Sequence, residues 1–210
     1  MSSKARRTDT PYMIVKLLNS LKGFYTFKEL EEKVGIPSQI LWRYTSLTHI
    51  PEKGTSRKIV EKVLEHGLAR RAIDRVITRN SYGYIETWKY LYDFLGIVGY
   101  EAARFVGPED IDVVVAFPEE DAPLALAVSE WLGSRTCVGF TRAGLHLGGF
   151  LQSSYVSPDR GMMVNVYMPK GVIRKGDNVL IVKNIAKDWA SLEVLMHIME
   201  TVKARVWGHS

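Results

Sequence analysis

The sequence predicts an α/β protein in which an N-terminal all-helical module precedes a three-layer α/β domain with a mainly parallel sheet. Two patterns predict it. Short capped apolar stripes at helical spacing fill the first fifty or so residues, and from Ile111 onward brief β-branched runs alternate with helical segments. A third observation concerns charge. Residues 1–82 carry 16 Lys/Arg against 8 Asp/Glu, residues 83–210 carry 12 against 15, and the whole chain is +5. A basic excess confined to the front suggests an electrostatic footprint for nucleic acid. With 210 residues, 46% of them apolar and 24% charged, the chain has the composition of a soluble globular protein with room for one ordinary domain and a smaller one. No run approaches the roughly 18 apolar residues of a membrane span. The basic start (Lys4, Arg6, Arg7) is not followed by an apolar core and cleavage site, so a cytoplasmic protein with no membrane partner is expected. Cys137 is the single cysteine. It reads as a buried strand residue, and neither a disulfide nor a cysteine-based zinc site is available. The histidines lack ligand-like spacing, and no metal or cofactor is expected.

Pro11 to Leu21 is the first helix, with Met13, Ile14, Leu17, Leu18 and Leu21 on one stripe, ended by Lys22-Gly23. Thr26 and Glu29 form a capping box for a second helix, Phe27 to Val34, which stops at Gly35-Ile36-Pro37. Ser38 is expected to cap a third, Gln39 to Leu47, broken by Thr48 to Pro51. Two short helices with Gly35 at the bend have the spacing of a helix-turn-helix. Leu30, Val34, Ile36, Leu41 and Tyr44 fall where they would face inward, while Glu31 occupies a position where the motif usually has a small residue.

On this reading the third helix presents Ser38, Gln39, Trp42, Arg43 and Ser46 to the major groove of double-stranded DNA. Gln39 matches an adenine edge and Arg43 a guanine edge. Lys22, Lys28, Lys53, Arg57 and Lys58 are placed for phosphates. The alternative for Trp42 is packing in a neighbouring helix or a dimer contact, and for the whole segment an RNA-binding or dimer-forming helical module. The DNA-binding domain is assigned residues 1–54, and a helical linker residues 55–82. The linker runs from Thr55 through Ile77 with an interruption at His66-Gly67. Its arginines Arg70, Arg71, Arg75 and Arg79 read as a solvated face or as a continuation of the basic surface. Asn80 to Gly83 marks the domain boundary. Tyr84 to Leu95 is an aromatic helix read as a packing or dimer surface, and Gly99 to Val106 a further short helix.

The α/β domain is assigned residues 83–210. Ile111 to Phe117, Thr136 to Phe140, Met162 to Tyr167 and Asn178 to Val182 are its expected strands, with Ala204 to Trp207 as a fifth. Residues 145–161, with four Gly or Pro positions, are expected to form a mobile hood. In an open α/β sheet the turn after a strand such as Asn178–Val182 is where a ligand binds.

That turn, Lys183 to Ser191, resembles the corresponding loop of the type I phosphoribosyltransferases, and more narrowly the archaeal orotate-phosphoribosyltransferase-like regulators that carry an N-terminal helix-turn-helix. The resemblance spans nearly the whole chain, most strongly 24–51 and 172–192. It implies a loop that holds the ribose hydroxyls and 5'-phosphate of phosphoribosyl pyrophosphate through two acids and a Thr/Gly-rich turn. Here the acids are replaced by Lys183 and Asn184, and a lysine accepts no hydrogen bonds. Trp189 puts a large ring where glycines would let backbone N–H groups approach a phosphate. Lys187, Asp188 and Ser191 remain beside the helix N-terminus, a place that suits anions. The loop after the first strand carries Glu119, Glu120 and Asp121, which would repel pyrophosphate. Arg142 matches a basic residue that in the family reaches the pyrophosphate of a dimer mate, or pairs with those acids instead. The resemblance therefore implies a homodimeric DNA-binding regulator, not an enzyme, whose degenerate transferase domain serves dimerisation and the sensing of a nucleotide or sugar-phosphate effector. The alternative is an active phosphoribosyltransferase or a related phosphate-handling enzyme.

Overall fold

The computed structural model describes residues 10–78, 91–144, 148–159, 161–186 and 189–208. The chain divides into two compact units, at Pro108 and Glu109. The sequence boundary at Asn80–Gly83 lies outside the described residues.

The first unit is helical. Helices α1 (Pro11–Lys22), α2 (Phe27–Val34), α3 (Ser38–Thr45), α4 (Lys53–Glu65), α5 (Leu68–Thr78) and α6 (Leu91–Val106) follow one another. Thr10 caps α1, accepting from Met13 N–H at 3.4 Å ahead of a proline in the first turn. The expected stripe is buried in full, but Val15 and Ser20 are buried too, because α6 lies against α1. Gly96 makes that approach close: a Cβ built there would stand 2.1 Å from Ser20 Oγ and 3.1 Å from its Cβ. At the other end of the contact, a Cβ on Gly23 would meet Asp93 Cβ at 2.7 Å. Two sequence assignments are thereby corrected. Residues 99–106 are the second half of α6 rather than a separate helix. The helix itself falls in the helical unit rather than in the α/β domain where the sequence places it, since its buried face (Ile97, Tyr100, Ala103) packs with α1 and α5.

The capping box of α2 is present, with Thr26 N–H donating to Glu29 at 2.7 Å and Glu29 N–H to Thr26 Oγ1 at 3.2 Å. Gly35, at φ +72°, ends α2 in the left-handed conformation that favours glycine. Pro37, not Ser38, is the residue ahead of α3, whose start has no side-chain cap of its own. Glu31 supplies the missing acceptor. Its carboxylate takes Ser38 N–H at 3.1 Å and also the Ser38 hydroxyl, which lies 3.2 Å from the Phe27 carbonyl as well. These bonds hold the Glu31 carboxyl below its ordinary pKa. The residue that fitted the sequence motif least is the one that fastens α2 to α3.

The second unit contains a four-stranded parallel sheet in the order β2 (Arg135–Val138), β1 (Val113–Ala116), β5 (Asn178–Val182), β6 (Arg205–Val206). Helix α7 (Ala122–Leu132) follows β1, and α8 (Ala190–Val202) follows β5. Strand β1 and, after Asn178, residues 179–182 of β5 are unbroken apolar runs, as in a sheet covered on both faces. The remaining strands, β3 (Phe150–Ser157) and β4 (Met162–Pro169), form a separate antiparallel hairpin. This corrects two expectations: Met162–Tyr167 is not a strand of the parallel sheet, and residues 150–157 of the expected hood are strand β3. The hairpin alternates. Val166 and Met168 are buried with Leu151 and Tyr155 packed beside them, while Val156 and Met163 pair on the exposed side. Cys137 is buried in β2, its Sγ 3.2 Å from Met168 Sδ, and burial pushes its thiol up to about 12. No described helix is long and apolar enough to cross a membrane.

Candidate functional site

The exposed side of α3 gathers Gln39, Trp42 and Arg43, three of the residues expected to meet DNA. Leu41 and Tyr44 are buried (0% and 7% exposed), so a helix of 3.6 residues per turn must turn Gln39, Trp42, Arg43 and Ser46 the other way. Trp42 is 55% exposed, and Ser38, Gln39, Trp42 and Arg43 line an open depression of about 400 Å³. Among the described residues the ring is thus not packed into a neighbouring helix. The C-terminal end of α3 is held from two directions. Ser46 Oγ (3.3 Å), Thr48 Oγ1 (3.1 Å) and His49 N–H (3.2 Å) all donate to the Arg43 carbonyl. From α1, Asn19 donates to the Thr45 carbonyl at 3.2 Å. The hydroxyls of Ser38 and Ser46 are therefore bonded to the protein. Those bonds lie at the two ends of the helix. Sequence reasoning missed Asn19, Thr48 and His49, whose roles depend on where the chain returns.

Lys28, Lys53, Arg57 and Lys58 are exposed, and the charge of Lys28 reaches the Glu31 carboxylate beside Ser38. Other cations are already engaged. Lys22 sits 5.7 Å from the Phe27 ring, and Arg75 donates to the Phe24 carbonyl at 2.7 Å with its guanidinium 4.6 Å from the Tyr25 ring. Arg75 pins the α1–α2 corner, whereas the sequence suggests only a solvated or DNA-facing charge.

In the second unit the ends of β1 and β5 lie side by side, with Ala116 in register with Val182. The loops that follow them are stitched together. Lys183 Nζ donates to the Phe117 carbonyl at 2.8 Å and lies 6.0 Å from the Phe117 ring. Asn184 donates from its backbone N–H to Asp121 Oδ1 (3.2 Å) and from Nδ2 to the Glu120 carbonyl (3.4 Å). Thr141, after β2, donates to Glu119 through both N–H and Oγ1 at 2.9 Å. Lys183 and Asn184, expected at a degenerate ligand site, are both bonded to the protein. Ser191 is 3% exposed, while Arg142 is exposed. Lys187 and Asp188 lie outside the described residues. Trp189 is 76% exposed ahead of α8, so its ring does not fill a cradle. Among the described residues no group of three or more His, Cys, Asp or Glu is placed to hold a metal ion.

The three carboxylates do not face outward as a set. Burial alone would raise Glu119, but its own backbone, the two Thr141 bonds and the Arg142 charge bring it below the usual carboxylate range. Asp121 is 6% exposed, and burial raises its pKa despite the Asn184 bonds and the nearby Lys183 charge. For an acid whose folded pKa is raised, the folded state binds the extra proton, so this group favours folding as pH falls through the raised pKa and disfavours it above. Asp121→Asn, which keeps an acceptor for Asn184 N–H, should therefore raise the urea midpoint at pH 7. That advantage should shrink toward zero near pH 4. An equal gain at both pH values would show that charge is not the cause.

No protein-family model matches the sequence, and no curated protein matches it. Among solved structures, similarity is found to the adenine phosphoribosyltransferase of Thermoanaerobacter pseudethanolicus, with a TM-score of 0.49 and 14% identity over 54% of this chain and 64% of that one. The enzyme from Rhodothermus marinus gives 0.49 and 19% over 55% and 64%. That from Saccharomyces cerevisiae gives 0.46 and 20% over 56% and 70%. These structural neighbours are phosphoribosyltransferases. The likeness extends over about half of this chain, which spans less than two thirds of the first two.

Proposed function

We propose that this chain is a DNA-binding transcription regulator of the cytoplasm. Its first unit reads double-stranded DNA as a helix-turn-helix, and its second serves dimerisation and the sensing of a nucleotide or sugar phosphate without catalysing a transfer. The observation that carries the reading is the two-sidedness of α3: one side sealed against α1 and α2, the other offering Gln39 and, a turn later, Trp42 and Arg43. The exposed cations at the starts of α2 and α4 supply the phosphate-directed charge such a surface needs. Support for a non-catalytic second unit is chemical: a loop whose Lys183 and Asn184 bond to the protein has no carboxylate pair to receive ribose hydroxyls. A two-fold dimer would set paired α3 helices about 34 to 36 Å apart and calls for a palindromic site.

The test is selection of duplexes from a randomised pool at two salt concentrations, followed by affinity measurements. The expected result is a preferred, palindromic sequence that still outcompetes random duplex near 200 mM salt, where non-specific binding has fallen steeply. Binding of all duplexes alike, vanishing together as salt rises, would reduce the protein to a general polycation. Release of pyrophosphate from phosphoribosyl pyrophosphate, Mg²⁺ and a nucleobase panel would overturn the non-catalytic reading of the second unit.

A further inference from the structure

We propose that Trp42 is a specificity-determining residue that recognises the C5-methyl group of thymine, so that the preferred duplex carries a thymine within a step or two of the bases met by Gln39 and Arg43. This rests on the DNA-binding reading above and adds to it the chemistry of one base.

Three observations lead there. The indole is 55% exposed in the middle of a helix whose opposite side is fully closed, and it lies between two forked polar side chains on the rim of a 400 Å³ depression. Gln39 and Arg43 are hydrogen-bonding side chains suited to purine edges, and Trp42, one turn from Gln39 and next to Arg43, brings chiefly carbon to the same surface. The major groove presents donors and acceptors on every base pair but a single apolar group, the thymine methyl. An exposed aromatic at that place therefore gains from water exclusion only where a thymine stands. The spacing agrees. From Gln39 to Arg43 the helix rises about 6 Å, and base pairs stack every ~3.4 Å, so the ring falls within the two or three base pairs those side chains span. The partner is duplex DNA because exposed Lys28, Lys53, Arg57 and Lys58 lie in the same unit and Arg43 on the same rim.

The experiment uses the full chain and duplexes enriched from a randomised pool, each remade with one thymine at a time replaced by deoxyuridine. That exchange removes the methyl and leaves base pairing intact. Wild-type protein should lose about fourfold in affinity at one or two positions, the loss expected for one methyl no longer shielded from water. Trp42→Ala should bind those duplexes more weakly and equally well with thymine or deoxyuridine, and Trp42→Phe should keep the penalty. A thermal melt close to wild type would show that the exposed ring was not needed for folding. Neutral deoxyuridine at every position while sequence preference persists would overturn the methyl contact and leave DNA reading standing. So would an undiminished penalty in Trp42→Ala. Tighter binding of the single strand than of the duplex would replace methyl contact by base stacking. An unchanged DNA affinity in Trp42→Ala would assign the ring to a protein partner instead. If no duplex is enriched at all, the reading on which the inference rests fails first.

Discussion

Replacing Arg43 by Ala is expected to weaken binding to the selected duplex by about ten- to a hundredfold while changing affinity for random duplex only slightly. A bidentate contact to guanine contributes roughly 1–3 kcal/mol of discrimination, whereas a contact to phosphate is felt equally by every sequence. Arg43 is suited to the first role because its backbone is fixed. Three donors hold its carbonyl, and Tyr44 beside it is buried with its ring stacked on His49 at 6.2 Å. A guanidinium on so anchored a segment loses less freedom on binding than one on a mobile loop. Lys58→Ala is the control and should lower both affinities alike and flatten the salt dependence. Equal losses from Arg43→Ala on both duplexes would make it a phosphate contact and remove the basis for base reading at that position.

Gly96→Val is expected to destabilise the first unit by about 3 kcal/mol, the upper end of the range for overpacking. A Cβ at this position would already lie 2.1 Å from Ser20 Oγ, and valine adds two more carbons. Helices α1 and α6 would have to part, breaking a contact that also meets Gly23 and Asp93. A domain of about 100 residues loses roughly 4–8 °C in Tm per kcal/mol, so the melt should shift well beyond experimental scatter. The discriminating experiment is a pair. Gly96→Ala alone should cost stability even though alanine favours a helix by about 1 kcal/mol over glycine, and adding Ser20→Ala should recover most of the loss. If the double variant is no better than the single one, the helices do not touch through these two residues.

The sequence revealed the elements whose apolar residues follow one period without interruption. The stripe of α1, the capping box of α2, and the β-branched runs of β1 and β5 are each fixed by neighbours a few residues away. Less legible was anything decided by a partner distant in the chain. The sequence divides this region into one helix ending at Leu95 and another starting at Gly99, yet Gly96 and Gly99 both sit buried inside a continuous α6. The β3 segment hides its alternation behind Gln152, Ser153 and Ser154, flanked by glycines and a proline that suggest a loop. Likewise Lys183 reads as a residue of an altered ligand loop, and nothing local announces that its ammonium turns back to the Phe117 carbonyl. On the α3 surface the sequence correctly pointed to Trp42 and Arg43 as exposed, but not to the bonds that occupy Ser38 and Ser46.

Helix α3 is only eight residues long, closed by the polar knot on the Arg43 carbonyl at one end and by the Glu31 clasp at the other. At 1.5 Å per residue it measures about 12 Å, enough to inspect three or four base pairs. A word that short recurs by chance about every hundred positions, far too often to mark one promoter among so many competing sites. On the proposed function, information therefore has to come from counting two words and the distance between them. On that same proposal, whatever fixes or alters that distance would govern which genes the protein finds.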